Sequence, residues 1–265
     1  MNRIALALAR PAVRLRRFSH RKGFGVHSPF AFEYITRVVL ERTPYHLYRD
    51  LEYQEAGLVC SMGYAWAHRE PRRVKRLLLR VANRAKVDSI VDIVATSSAA
   101  LYLQGGRSSA SYIHLSGNDW SEQLQIEVQA SERAGVQASE QTTAQVSKQV
   151  GRQASTDAHE EVGVKSNEQA SRQVEAGNSR CPAQLVYLHD YQRPDLMRQA
   201  WEVVIRTADS HDVIVVEGIG YTRPMRDLWQ IICNHQRTGI TFDLHDVGIA
   251  LLDRSISKRN YIVSF

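Results

Sequence analysis

Three short apolar runs end in residues that can hold or move a proton. Ser89-Ile-Val-Asp-Ile-Val94 carries Asp92 and leads into Ala95-Thr-Ser-Ser-Ala-Ala100; Gln184–His189 ends on His189 and continues to Asp190; Asp212–Glu217 ends on Glu217, followed by Gly218. If these runs are parallel strands, the side chains meet at their carboxyl ends, where open α/β sheets bind ligands. An imidazole or carboxylate within hydrogen-bond reach of a bound hydroxyl serves as a general base. His189 and Asp190 are the candidates for that role, and Glu217 places a further carboxylate at the mouth. The alternative for a strand-end histidine is structural, with its polar atoms satisfied by neighbours. No metal centre is expected, because Glu217 is one acid, and Cys60, Cys181 and Cys233 form no C-x-x-C pair and have no histidine at metal spacing. The turn after Val94 also lacks the glycines that let a cofactor touch backbone.

The elements that must position these groups read as a doubly wound sheet. Strands are expected at Ser89–Val94, Ser111–Leu115, Gln184–His189 and Asp212–Glu217, each short, β-branched and bounded by polar residues. Leu196 to Ala208 has helical spacing, and Pro224 to Asn234 supplies a helix with Met225, Leu228, Trp229 and Ile232 inward. Ile240–Leu244, Val247–Leu252 and Tyr261–Phe265 follow with short connections and are expected to pair antiparallel at one edge. Before the sheet, Ser28 and Pro29 start a helix whose stripe is Phe30, Tyr34, Ile35, Val38 and Val39. After Pro71, Val74, Leu77, Leu78, Val81 and Ala82 share one face, and Arg72, Arg73, Lys75, Arg76 and Arg80 take the others. Residues 1–86 thus read as a basic helical cap and residues 87–265 as the α/β domain, with solvent around Arg72, Arg73 and Arg76.

Charge is unevenly spread over the 265 residues. Residues 1–22 hold seven Lys/Arg and no acid, and residues 69–86 hold eight with only Glu70 opposing them. Such runs are most simply solvated faces, and with a single aromatic in the first run and no recognition motif they do not point to nucleic acid. A weak contact of the N-terminal run with an anionic membrane surface is the sharper reading. No apolar stretch approaches the ~20 residues of a membrane span, and the low cysteine count fits a reducing cytoplasm. From about 130 to 180 the chain is a different material. Gln-Ala-Ser recurs at 129–131, 137–139, 153–155 and 169–171, always in multiples of eight, and no aromatic occurs between 121 and 180. An octad drifts about 80° per repeat around a helix and cannot hold a buried stripe, so a flexible low-complexity insertion is expected.

Gly23-Phe-Gly-Val-His-Ser-Pro-Phe30, the strand pattern, and the ending Phe242-Asp-Leu-His-Asp-Val-Gly248 with Tyr261-Ile-Val-Ser-Phe265 resemble a family of bacterial class I S-adenosylmethionine-dependent methyltransferases that opens with a G-x-G-x-H-S-P-F segment. The resemblance covers roughly residues 15–118 and 183–265. It implies a Rossmann-like seven-stranded sheet with an antiparallel C-terminal edge, an N-terminal helical cap, S-adenosylmethionine as cofactor and a small-molecule acceptor. The family's E-L-G-T-S-x-G motif falls on Asp92-Ile-Val-Ala-Thr-Ser-Ser98, so Asp92 and Thr96 are retained while Val94 and Ser98 stand where glycine is expected. The ribose-binding acid falls on Ser116, the I-D-G segment on Leu188-His-Asp190, and the D-D pair on Glu217-Gly218. The resemblance therefore implies a degraded member, with methyl transfer or a catalytically silent binding or scaffolding role as the two outcomes.

Overall fold

Strand order, more than helix content, decides what can meet at the site. The computed structural model describes residues 11–13, 15–18, 26–67, 69–116 and 183–265, with only the backbone for Val94 and Ser116. The expected insertion, Gly23 and Gly25 lie outside the described residues. In chain order the elements are α1 (Pro29–Tyr34) running into a π-helical turn (Ile35–Val39), α2 (His46–Met62), α3 (Tyr64–Ala67), α4 (Arg72–Ala85), β1 (Ser89–Val94), α5 (Ala99–Gly106), β2 (Ser111–Ser116), β3 (Gln184–His189), α6 (Pro194–Thr207), β4 (Val213–Glu217), α7 (Arg223–Asn234), β5 (Ile240–Asp243), β6 (Val247–Leu251) and β7 (Arg259–Ile262).

The sheet is seven-stranded, in the order β2-β1-β3-β4-β6-β5-β7. β1 pairs parallel with β2 and β3, and β3 with β4. β6 runs antiparallel to both β4 and β5, joined to β5 by a tight turn. The outermost strand departs from the expected pairing: β7 is parallel to β5, with Phe242 opposite Tyr261. The longer β6–β7 connection allows it, since a two-residue turn could only have returned the chain antiparallel.

Alternation along the strands sorts the two faces. Ile90 of β1, Leu185 and Tyr187 of β3, Val213 and Val215 of β4 join one buried cluster with Tyr34, Ile35, Val38, Leu77, Leu78 and Val81 of the cap. Cap and sheet therefore share one core. On the other face α6 touches β1 and β3, and α7 touches β6. Gly248 lets α7 come that close, because a Cβ there would lie 2.5 Å from the Trp229 ring.

The cap starts as its sequence dictates. Ser28 Oγ accepts the Ala31 N–H at 3.3 Å, and Pro29 stands where its missing donor costs nothing. Not all of its cations face water. Arg80 is buried and donates to the carbonyls of Val38 (2.6 Å) and Val39 (3.1 Å) and to Tyr48 Oη (3.0 Å), satisfying the acceptors that the π turn leaves open. Lys75 is buried too, bound to Glu55 and to the Ala67 carbonyl. Arg73 reaches Asp246 and the Phe265 carbonyl and lies 5.3 Å over the Phe265 ring. Arg72 and Arg76 both bind Glu52. The expectation of three solvated arginines thus holds for the exposed Arg72, but Arg73 pins the cap to the β5–β6 turn and the C-terminal residue.

Candidate functional site

The face of the sheet turned to the cap is apolar where each strand begins and charged where it ends. β1 places Asp92 two residues after Ile90, β3 places His189 two after Tyr187, and β4 places Glu217 two after Val215, so all three project from the same face. Register brings them together: Asp92 stands opposite His114 on one side and Tyr187 on the other, and Val94 stands opposite His189. Tyr112 and His114 of β2 approach Asp92 Oδ2 at 2.5 and 3.5 Å.

His189 is the centre. Its side chain is fully buried, with Nε2 2.6 Å from Asp92 Oδ1 and Nδ1 3.2 Å from Glu70 Oε1. The first contact is ionic, since its two atoms lie off the line a hydrogen bond requires. Tyr187 stacks on the imidazole with centroids 4.4 Å apart. Burial alone would lower the imidazole pKa, but the Asp92 charge, reinforced by Glu70, overrides it and raises it to about 10. Asp92 responds in the opposite sense: burial would raise it, yet the His189 charge, with the close contacts of His114 and His189 and the Tyr112 hydrogen bond, holds it down to about 2. At neutral pH the pair is an imidazolium between two carboxylates. A general base must be neutral to accept a proton, so His189 is poised as a clamp.

Glu70 and Arg69 come from the cap, just before α4. Glu70 Oε1 accepts from Ser97 Oγ at 2.7 Å and Tyr187 Oη at 3.4 Å in addition to facing His189. The Arg69 guanidinium lies 2.9 Å from Asp190 and 4.0 Å from Glu217, and Arg193 donates to the other Asp190 oxygen at 2.5 Å. Two consecutive cap residues thus span the carboxyl ends of β1, β3 and β4. Four carboxylates (Glu70, Asp92, Asp190, Glu217) meet two enclosed cations, His189 and Arg69. The excess is relieved by a proton: burial and the Glu70 charge push Glu217 up to about 8.

Glu70, His189 and Glu217 each offer a ligand atom, all within 4.8 Å of one another. The sequence reading of Glu217 as a lone acid is corrected here, because Glu70, which lies 119 residues before His189 in the chain, joins it. One imidazole and two carboxylates suit a borderline divalent cation. His189 Nδ1 faces Glu70 at 3.2 Å, and the Arg69 guanidinium brings its fixed charge to 4.0 Å from Glu217.

The positions tied to cofactor binding are distributed differently. Asp92, read as a cofactor carboxylate, is buried and bound to protein on both oxygens. Ser98 is fully buried, and its Oγ donates to Glu55 at 2.7 Å and lies 3.0 Å from the Ala67 carbonyl, while its N–H meets the Trp66 carbonyl at 3.1 Å. Its hydroxyl therefore ties the β1–α5 turn to the cap. Thr96 is exposed. Val94 and Ser116 pair across β1 and β2 at the carboxyl ends. Arg69, Glu70, Tyr112, His114 and Tyr187 were not singled out from sequence as site residues. The available signal was Glu70 as the lone acid in a run of eight cations.

No family model matches this chain, and no curated protein does. Among solved structures, an O-methyltransferase from Bacillus cereus in complex with SAH aligns with a TM-score of 0.37 and 10% identity, over 83% of this chain and 96% of that one. A likeness at that score carries no argument about function.

Proposed function

We propose that this chain is a class I methyltransferase-like protein with a degraded cofactor site, which binds S-adenosylmethionine weakly or not at all and serves as a catalytically silent binding or scaffolding module. The strand order, with β6 inserted antiparallel between β4 and β5, agrees with the sheet that the G-x-G-x-H-S-P-F resemblance implies. The observation that carries the silent reading is the pair Arg69 and Glu70. In a doubly wound sheet the ligand lies in the crevice outside the carboxyl ends of the strands, and here that place is bridged by Glu70 to Ser97 and His189 and by Arg69 to Asp190 and Glu217.

Admitting a cofactor would require breaking the Glu70 bonds to His189 and Ser97. At ~1.5–3 kcal/mol for each charge-assisted bond, the cost is roughly 3–6 kcal/mol, or about 10²- to 10⁴-fold in affinity. A micromolar ligand would fall to the millimolar range. Calorimetric titration of the purified chain with SAH tests the reading: no saturable heat is expected up to about 1 mM, whereas a Kd tighter than about 10 μM, near −7 kcal/mol, would show that the cap yields to the cofactor and that the enzyme reading is correct.

A further inference from the structure

Among the described residues of the basic N-terminal run, Arg16 and Arg17 line a cleft separate from the ion cluster. It lies among Val13, Arg16 and Arg17, the β4–α7 connection and the end of β5, with a volume of about 960 Å³, the size of a small-ligand site. Four arginines border it, Arg16, Arg17, Arg223 and Arg226, against one carboxylate, Asp243. Arg17 is committed to that carboxylate, 2.9 Å from Oδ1, and to the Asp243 carbonyl at 3.0 Å. Arg226 gives one nitrogen to the Gly220 carbonyl at 3.1 Å, which fixes its position and leaves other donors of the guanidinium. Arg223 opens α7, a 12-residue helix whose aligned peptide dipoles add positive potential at this end. The cleft is thus cationic at its rim.

Its wall is held in an unusual backbone state. His245 adopts φ 71°, left-handed for a non-glycine residue, at a cost of about 1–3 kcal/mol that surroundings must sustain. Asp243 Oδ1 accepts the His245 N–H at 2.9 Å, and the Gly220 N–H donates to the His245 carbonyl at 2.8 Å. Gly220 is required there, because a Cβ would fall 1.9 Å from His245 Nδ1. The β4–α7 loop and the β5–β6 turn are therefore locked together, which preforms the cleft. Its floor is apolar, from Ile219, Trp229 and Ile262, the last 47% exposed.

We propose that this cleft binds a small phosphorylated molecule with an apolar body, the phosphate held by Arg16, Arg223 and Arg226 and the body resting on Ile219, Trp229 and Ile262. Guanidinium groups match phosphate oxygens two at a time, and a helix N-terminus favours the same charge. The site is distinct from the crevice closed by Glu70, so it stands whether or not SAH binds.

The test uses 1-naphthyl phosphate as probe, with 1-naphthol as its neutral counterpart and inorganic phosphate as the charge alone, each titrated into the full chain by calorimetry. Saturable binding of naphthyl phosphate is expected, at least about tenfold tighter than either control and weakened by salt. The double variant Arg223→Gln/Arg226→Gln, both exposed positions, should lose about tenfold in affinity with an unchanged circular dichroism spectrum, and Ile262→Glu should do the same from the apolar side. Naphthol binding as tightly as its phosphate, unchanged affinity in the double variant, or no saturation by about 5 mM would each overturn the proposal.

Discussion

Replacing Glu217 by glutamine should make the protein more stable at neutral pH and above, although it removes a buried carboxylate from the centre of the molecule. The folded Glu217 titrates near 8, raised first by burial and then by the Glu70 charge, from an ordinary 4.5. Between those values the folded chain holds a proton that the unfolded chain has released, so folding stability falls as pH rises across that window. At ~1.4 kcal/mol per pH unit, the ionised side chain costs on the order of 4 kcal/mol at pH 8. Glutamine keeps the neutral shape and cannot ionise. Urea unfolding of both proteins at pH 4.5 and pH 8 should therefore give stabilities within about 1 kcal/mol of each other in acid and a glutamine advantage of several kcal/mol at pH 8. Equal pH slopes, or a variant weaker at both values, would refute the assignment of the proton to Glu217.

His189→Gln should cost about 3–5 kcal/mol at pH 7, because it leaves Asp92 and Glu70 buried without their shared cation; thermal unfolding read by circular dichroism checks this. The wild-type contribution has its own pH window. Folded His189 titrates near 10, above its ordinary 6.5, so its stabilisation is complete below about 6.5 and lost as pH rises through 10. Arg73→Gln, which takes the guanidinium away from the fully buried Asp246 side chain, should lose about 2 kcal/mol, whereas Arg72→Gln, at an exposed pair with Glu52, should change stability by less than about 1 kcal/mol; matched urea titrations separate the two.

The strands were legible because burial on both faces leaves a plain mark in sequence. β1 and β3 occupy the expected residues 89–94 and 184–189, and the inward set of α7 holds the expected Met225, Leu228, Trp229 and Ile232 together with Cys233. Helix α2 was not legible, since among its 17 residues only Tyr48, Leu51 and Glu55 are buried and no continuous apolar stripe results. Lys75 and Arg80 read as surface cations because their partners, Glu55 and the carbonyls of Val38 and Val39, belong to other elements. The same reason hid the site. Asp92, His189, Asp190 and Glu217 could be placed at strand ends from local pattern, but what they face there is set by Arg69 and Glu70, in an irregular turn far away in sequence. Local periodicity carries no information about such a contact. The retained Asp92 illustrates the limit: its type suits a cofactor, and its partners show it serving a histidine.

The central claim is that His189 is a buried imidazolium closing the crevice, and nitrogen NMR of the ring measures this directly. With His189 assigned by its loss in His189→Gln, both ring nitrogens should show protonated shifts from pH 5 to beyond pH 8, with ring protons that exchange slowly with water, as a folded pKa near 10 and full burial require. A His189 ring that loses a proton near pH 6.5, or exchanges freely at neutral pH, would mean an open site with a neutral base at its centre, and the closed, silent reading would be wrong.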